Sequence, residues 1–176
     1  NINPQRWKSL RFFLWKKKLY KSIYLIKKKI RKKEYYYFLQ VPNFSILIPK
    51  IGNKFILVSQ KRYAINKVTL EFPSGWIDKN EKPSAASIRE TFEETGYKSL
   101  IKPKKIIDFH EEPGRLTSNV YVYFSDKLKK LNKPEKNIKV HLLSQNEIFN
   151  LIKKKKFNNG THIAAYLAFL NNTKIK

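Results

Sequence analysis

Residues 75–97 read GWIDKNEKPSAASIRETFEETGY, and this stretch decides how the chain is understood. Pro83 suits a first helical turn and Gly96 suits the position just past a helix end, so the segment between them predicts a helix. Ala85, Ile88 and Phe92 fall at helical spacing and predict its core face. At about 100° per residue, Glu94 stands about +40° and Glu93 about −60° from Glu90. The three carboxylates therefore share one sector, away from Phe92. Glu90 and Glu94 form a like-charge pair one turn apart, which costs an isolated helix roughly a few tenths of a kcal/mol. Arg89 offsets part of this through Glu93 at i+4. The remainder calls for a cation.

A solvated acidic face is the bland reading of such a cluster, and its setting argues against it. The chain carries 38 Lys and Arg against 13 Asp and Glu, a formal charge of +25. Yet six acids (Glu71, Asp78, Glu81, Glu90, Glu93, Glu94) fall within residues 71–97 beside only Lys79, Lys82 and Arg89, a local balance of −3. Convergent carboxylates form a hard oxygen site of the type Mg²⁺ or Mn²⁺ prefers.

A length of 176 residues suits one domain with a real core. The absence of cysteine excludes disulfides, thiolate metal sites and Cys nucleophiles. No apolar run approaches the roughly 18 residues of a membrane span, and RFFLWKKK is too short for a secretory core segment. The expected location is cytoplasmic. There is no methionine, not even an initiator, so Asn1 need not be the native start. The basic residues are 32 Lys and 6 Arg, accompanied by abundant Asn, Ile, Tyr and Phe. Such a profile follows from AT-rich coding, whereas dedicated nucleic-acid readers favour Arg forks. A solvated lysine surface is thus expected, with nucleic acid a possible partner that is not favoured.

Residues 1–18 read as a basic extension with weak helical periodicity, and residues 19–176 as a single domain opening on a β-hairpin around a Lys-rich turn. FSILIP and KFILVSQ flank the turn KIGNK, and KVTLEF predicts a further strand that ends at the loop PSGWIDKNEK. KPKKIIDFH, NVYVYFS and NIKVHLLS read as strands. Ser144 and Glu147 make a capping box for a helix over NEIFNLIKKKK, and Thr161 is expected to cap the last helix. The lysines at 153–156 read as a solvated helix end favoured by the helix dipole. The class is α+β, an α/β/α sandwich with a mixed sheet flanked by helices.

The spacing from Gly75 through Glu81 to RETFEETGY resembles the Nudix box, G-x5-E-x7-R-E-U-x-E-E-x-G-U, where U is apolar. Gly75, Glu81, Arg89, Glu90, Glu93, Glu94 and Gly96 occupy its fixed positions; Thr91 stands where an aliphatic residue is usual. VSQKRYAINKVTLEFPSGWID and Pro113, sixteen residues past the box, are similar to the ADP-ribose/ADP-sugar pyrophosphatase branch. The resemblance covers about residues 19–172. It implies a Nudix fold and Mg²⁺-dependent hydrolysis (Mn²⁺ possible) of a nucleoside diphosphate linked to a sugar, ADP-ribose or an ADP-sugar giving AMP and a sugar phosphate.

By position in the motif, Glu90 and Glu94 would be the principal metal ligands, Glu93 would assist as ligand or base, and Ser74 would offer its backbone carbonyl. Glu81 and Arg89 would be structural partners that orient the catalytic helix, with Gly75 and Gly96 as structural glycines. Arg62 would contact substrate phosphate, Glu71 would lie near the site, and Arg115 in the loop EEPGRLTSN could reach a phosphate. Lys136 stands where many members carry a water-activating glutamate, which leaves its neighbour Glu135, or Glu93, to take that role. The branch also implies a homodimer. Two other readings stay open: a Nudix hydrolase for another sugar nucleotide of the GDP-mannose type, and a catalytically weak basic module binding RNA or polyanions. His110, His141 and His162 lack metal-ligand spacing and read as packing or surface residues. Tyr35, Tyr36 and Tyr37 alternate faces on a strand, so at most one or two of them stack on a base.

Overall fold

The computed structural model describes residues 14–174, so most of the predicted N-terminal extension lies outside the described residues. The described residues form two compact units, 14–42 with 112–118 and 43–111 with 119–174.

In the first unit, β1 (Leu14–Tyr20), β2 (Ile23–Arg31) and β3 (Glu34–Gln40) make an antiparallel sheet in the order β1-β2-β3. The predicted hairpin is β2–β3. A strand precedes it, beginning inside the stretch read as an extension, because the backbone ladder from Leu14↔Lys28 to Tyr20↔Ile23 holds β1 without strong apolar alternation. Trp15, Lys27 and Tyr37 stand opposite one another across the three strands. The segment 112–118 joins this sheet: Leu39 N donates to Arg115 O at 2.8 Å, and Thr117 N donates to Leu39 O at 3.1 Å. The Tyr36 hydroxyl donates to Gly114 O.

The second unit is built on a mixed sheet. Its strands are β4 (Phe44–Ile51), β5 (Lys54–Arg62), β6 (Lys67–Glu71), β7 (Ser74–Trp76), β9 (Lys104–His110), β10 (Asn119–Ser125) and β12 (Lys139–Ser144). They run in the order β12-β5-β4-β10-β9, with β6 paired to β5 and β7 to β4. The β4–β10 pair is parallel and the other pairings are antiparallel. A small ribbon of β8 (Tyr97–Ser99) and β11 (Leu128–Lys130) stands apart. The helices are α1 (Pro83–Thr95), α2 (Gln145–Lys153) and α3 (Gly160–Lys174).

Strand alternation explains the layers. Ser45 turns toward α1, where its hydroxyl donates to Pro83 O at 2.8 Å. Ile46 and Ile48, like Phe55 and Leu57 on β5, join Ala165, Tyr166 and Phe169 of α3 in the main core. Burying these side chains supplies most of the drive to fold, at about 25 cal/mol per Å² of apolar surface. The sheet is therefore covered on both faces, as an α/β/α sandwich requires.

Three local expectations are corrected. The buried face of α1 is Ala86, Ser87, Thr91, Glu94 and Thr95; Ala85 is exposed, and Ile88 and Phe92 are only half-buried. Its hydroxyls satisfy themselves on the helix backbone, Thr91 Oγ1 donating to Ser87 O at 2.7 Å, so a polar residue can face inward without an orphaned group. Thr161 does not cap α3. Its hydroxyl donates to Glu111 Oε1 at 2.6 Å, and the helix ladder begins at Asn159, whose carbonyl accepts from Ile163 N at 3.0 Å. The predicted loop after β6 contains β7, whose register Ile46↔Ser74 ties it to the central strand. The capping box holds as expected, with Ser144 N donating to Glu147 Oε2 at 2.7 Å and Glu147 N to Ser144 Oγ at 3.3 Å. No helix among the described residues is long and apolar enough to cross a membrane.

Candidate active site

Two strand ends and one helix assemble the site. The β5–β6 register pairs Gln60 with Thr69, Arg62 with Lys67 and Val58 with Glu71, so Gln60, Arg62, Thr69 and Glu71 share one face. The helix α1, entered through the β7 turn, brings its carboxylates to the same unit.

Arg89 organises the box. Its Nε donates to Glu81 Oε1 at 2.9 Å and its Nη2 to Glu81 Oε2 at 2.9 Å, a fork on one carboxylate. Nη2 also donates to Trp76 O at 3.0 Å. Its Nη1 donates to Glu90 Oε1 at 2.7 Å and to Glu93 Oε2 at 3.2 Å. Glu81 in turn accepts from Asp78 N at 3.0 Å, which folds the loop before α1 onto the same guanidinium. Trp76 and Glu93, seventeen positions apart, thus meet at one cation.

Gly75 is required by this arrangement. A Cβ there would lie 2.2 Å from Glu90 Cδ, so the Glu90 carboxylate rests directly on the backbone of β7. Glu94 is buried, accepting from Ser74 N at 3.0 Å and from Gln60 Nε2 at 3.2 Å. Burial pushes its carboxyl up, and with nearby Glu90 adding to this against the Ser74, Gln60 and Arg62 contributions it reaches about 7. Burial likewise raises Glu90, although Arg89 pulls the other way. Glu93 is the exposed member of the trio. The shared sector therefore runs from core to solvent. Ser74 Oγ is buried with no hydrogen-bond partner among the described residues.

The donor set fits a hard divalent cation in its chemistry: carboxylate oxygens, two of them short of positive charge, beside an unpartnered hydroxyl. Its geometry is not yet that of a ligand sphere, since no three His, Asp or Glu side chains among the described residues converge as metal ligands. Arg89 holds Glu90 and Glu93 in the arrangement described.

Behind this cluster lies a second network. Glu71 is fully buried and accepts from Arg62 Nε at 2.9 Å and from Arg62 Nη2, from Thr69 Oγ1 at 2.7 Å, and from Asn159 Nδ2 at 3.2 Å. Burial alone would raise its carboxyl, but Arg62, His162 and Thr69 together outweigh it and hold it at about 2. Glu71 and Arg62, whose side chain is 41% exposed, line a cleft of about 490 Å³ with Lys67, Glu111, Asn158 and His162. His162 is fully buried. Its Nδ1 accepts from Phe72 N at 3.2 Å, leaving Nε2 to carry the proton 3.7 Å from Glu71 Oε2. Burial lowers its pKa to about 4, so the ring is neutral.

Sequence reasoning missed Gln60, Thr69 and Asn159, whereas His162, read as a packing or surface residue, is indeed buried in packing. Strand alternation was the available signal for Gln60, two residues before Arg62; Asn159, just before α3, carried none. Glu135 is exposed, and its backbone N donates to Glu93 O at 3.0 Å, so its loop is tied to the last turn of α1. Lys136 is exposed as well. Arg115 belongs to the first unit, on the 112–118 segment that also carries Pro113. Of the other histidines, His141 Nε2 lies 2.9 Å from Ser59 Oγ.

Comparison with known proteins bears on this geometry. A family model described as NUDIX domain matches residues 39–165. An ADP-ribose pyrophosphatase of Bacillus subtilis (strain 168) is 36% identical over 75 residues, 43% of this chain and 40% of that protein. An ADP-sugar pyrophosphatase of Mus musculus is 54% identical over 46 residues, 26% of this chain and 21% of that protein. The matched stretch thus spans two-fifths or less of either relative. A solved structure described as "Crystal structure of ADP compounds hydrolase" superposes with a TM-score of 0.75 at 14% identity, covering 94% of this chain and 95% of that one.

Proposed function

This chain belongs to the Nudix family, and from that premise we propose that it hydrolyses the pyrophosphate bond of a nucleoside diphosphate-linked sugar, ADP-ribose or an ADP-sugar, to AMP and a sugar phosphate. The observation that carries the reading is the Arg89 network, which gathers Glu81, Glu90 and Glu93 while the buried Glu94 is bonded only to the neutral Gln60 and the Ser74 amide. The names of the two pyrophosphatase relatives support the substrate class.

Glu90, Glu94 and Glu93, with the backbone of Ser74, would hold Mg²⁺, or Mn²⁺ in its place. When bound, such an ion neutralises the pyrophosphate and makes a coordinated water more acidic. The rest falls to side chains. Glu81 fixes Arg89, and Arg89 fixes the direction of the trio. Arg62 spends Nε and Nη2 on Glu71, which leaves Nη1 outside that pair to donate to a phosphate oxygen in the cleft it lines. Glu93, exposed and beside the tethered Glu135 loop, accepts the proton of the attacking water, with Glu135 as the alternative base. Water adds to one phosphorus, the bridging P–O bond breaks, and the leaving phosphate departs protonated from solvent. The working form is a cytoplasmic homodimer.

The test is a panel of ADP-ribose, ADP-glucose, GDP-mannose, dinucleoside polyphosphates and capped RNA with Mg²⁺, read by product analysis. AMP and a sugar phosphate from the ADP compounds is the expected result. A flat panel from folded protein would reject hydrolysis, and preferred turnover of GDP-mannose would move the substrate class.

A further inference from the structure

The lysine run at 153–156 is the solvated helix end that its sequence suggests, with all four lysines exposed where α2 stops. As α2 closes, Lys154 N donates to Asn150 O at 3.0 Å, Lys155 N to Ile152 O at 2.9 Å, and Lys156 N to Leu151 O at 2.8 Å. Phe157 follows, fully buried, its ring edge-on to Phe72 with centroids 5.9 Å apart. Lys155 takes a left-handed backbone, φ +56°, a conformation uncommon for a residue with a long side chain. Hydrogen bonds on one side and a core anchor on the other thus hold the turn in a single form, and its side chains leave from a fixed backbone.

Two of those side chains, Lys155 and Lys156, meet Lys67 of β6 and Asn158 around a cleft of about 450 Å³. This cleft shares Ile65, Lys67, Thr69 and Asn158 with the one that Arg62 lines. Three lysines and no carboxylate line it. Ammonium groups gathered around a concavity repel one another and concentrate anions far better than the same charges spread over a convex surface. Lysine also binds phosphate as a movable point charge, where Arg62 offers a fixed fork.

We infer that this lysine cleft is a second phosphate subsite, which takes a phosphate carried by the substrate at a distance from the bond that is cut. The inference rests on the hydrolase reading above and narrows it, toward nucleoside diphosphate derivatives bearing an additional phosphoryl group. Arg62 serves the diphosphate, and Lys67, Lys155 and Lys156 serve the outlying dianion. Inorganic phosphate presents the same chemistry, so the test must separate the two sources.

The full chain is assayed with Mg²⁺ on a matched pair, ADP-ribose and ADP-ribose phosphorylated on its adenosine ribose. Wild type is compared with the double variant Lys155→Gln/Lys156→Gln, and melting curves verify folding. Wild type should show a KM at least about tenfold lower for the phosphorylated member, and the double variant should abolish that preference by raising KM with kcat retained, the mark of lost uniform binding. Its KM for plain ADP-ribose should stay within about twofold. Equal losses on both substrates, or no wild-type preference, overturn the inference. Competitive inhibition by inorganic phosphate without that preference would make the cleft a free-phosphate site and overturn it too. Should the double variant melt early, Lys156→Gln alone carries the test. Calorimetric titration of the same pair into Glu94→Gln protein reads the preference without turnover, so a failed hydrolase reading and a failed lysine cleft give different results.

Discussion

Around Arg62, the buried Glu71 accepts from a guanidinium fork, a threonine and an asparagine, with a neutral histidine behind it. Around Arg89, three glutamates share one guanidinium and a fourth, Glu94, has only a backbone amide and Gln60. Both networks pair arginine with glutamate in the same unit, yet their charges balance differently. The first is closed, and its carboxylate titrates at about 2 despite complete burial. The second is short of cationic charge, and Glu94 rises to about 7. A closed network serves to hold a side chain still; an open one leaves room for a cation to enter. Since desolvation of a charge is costly unless it is paired, the burial of Glu94 makes sense chiefly as preparation for a ligand.

Glu94→Gln should break the comparison most sharply. Turnover with Mg²⁺ should fall by at least about 100-fold, while the melting temperature holds or rises because a poorly compensated buried carboxylate has gone. Retained turnover in steady-state assays would remove Glu94 from the metal site. Glu71→Ala should do the reverse, striking stability first. Breaking a buried pair costs about 3–5 kcal/mol, less here because Arg62 is 41% exposed, so a loss of about 2–3 kcal/mol in unfolding free energy, read from denaturant curves, is expected.

The two networks should also answer acid with opposite signs. The carboxyl of Glu71 is depressed from 4.5 to about 2, so its contribution is complete above pH 4.5 and disappears as pH falls toward 2. His162, lowered from 6.5 to about 4, takes up its proton later than in the unfolded chain and removes stability between those values as pH falls. Glu94 is raised from 4.5 to about 7, so its penalty is relieved as pH falls through that interval. Melting temperatures across pH should therefore show wild type and Glu94→Gln converging from pH 7 to 4.5, and wild type and Glu71→Ala converging below 4.5.

Gly75→Ala sharpens the comparison at a smaller scale. The added methyl displaces the Glu90 carboxylate, the flexible end of a side chain, so turnover should drop roughly tenfold with little change in melting. Ser144→Ala lies outside both networks and provides the control: a loss of about 1 kcal/mol from the capping box, seen in the denaturant midpoint, with KM unchanged.

The glutamates and arginine of the open network were legible in the sequence because they sit within 23 residues of one another and their spacing is set by a single helix and its entry loop; Gln60, 34 positions from Glu94, was not. The capping box at Ser144 and the turn at Gly52 and Asn53 were legible for the same reason. The closed network was not, since Asn159 and Glu71 stand 88 positions apart and only the folded sheet edge brings them together. The inward face of α1 was misread because serine and threonine satisfy themselves on the helix backbone, which hides burial behind polarity. Grouping 112–118 with the first unit depends on backbone bonds to Leu39, which no side-chain pattern announces.

At its far end α1 stops at Gly96, φ +75°, where an added Cβ would lie 2.0 Å from Asn132 O. The Gly96 carbonyl accepts from Leu131 N and Asn132 N, so the helix stop is also the mooring of the segment that leads to Glu135. A library randomised at this position would return glycine on two independent grounds, handedness and clearance. Second-site revertants of any other residue there should cluster in 131–135, the far bank of the contact.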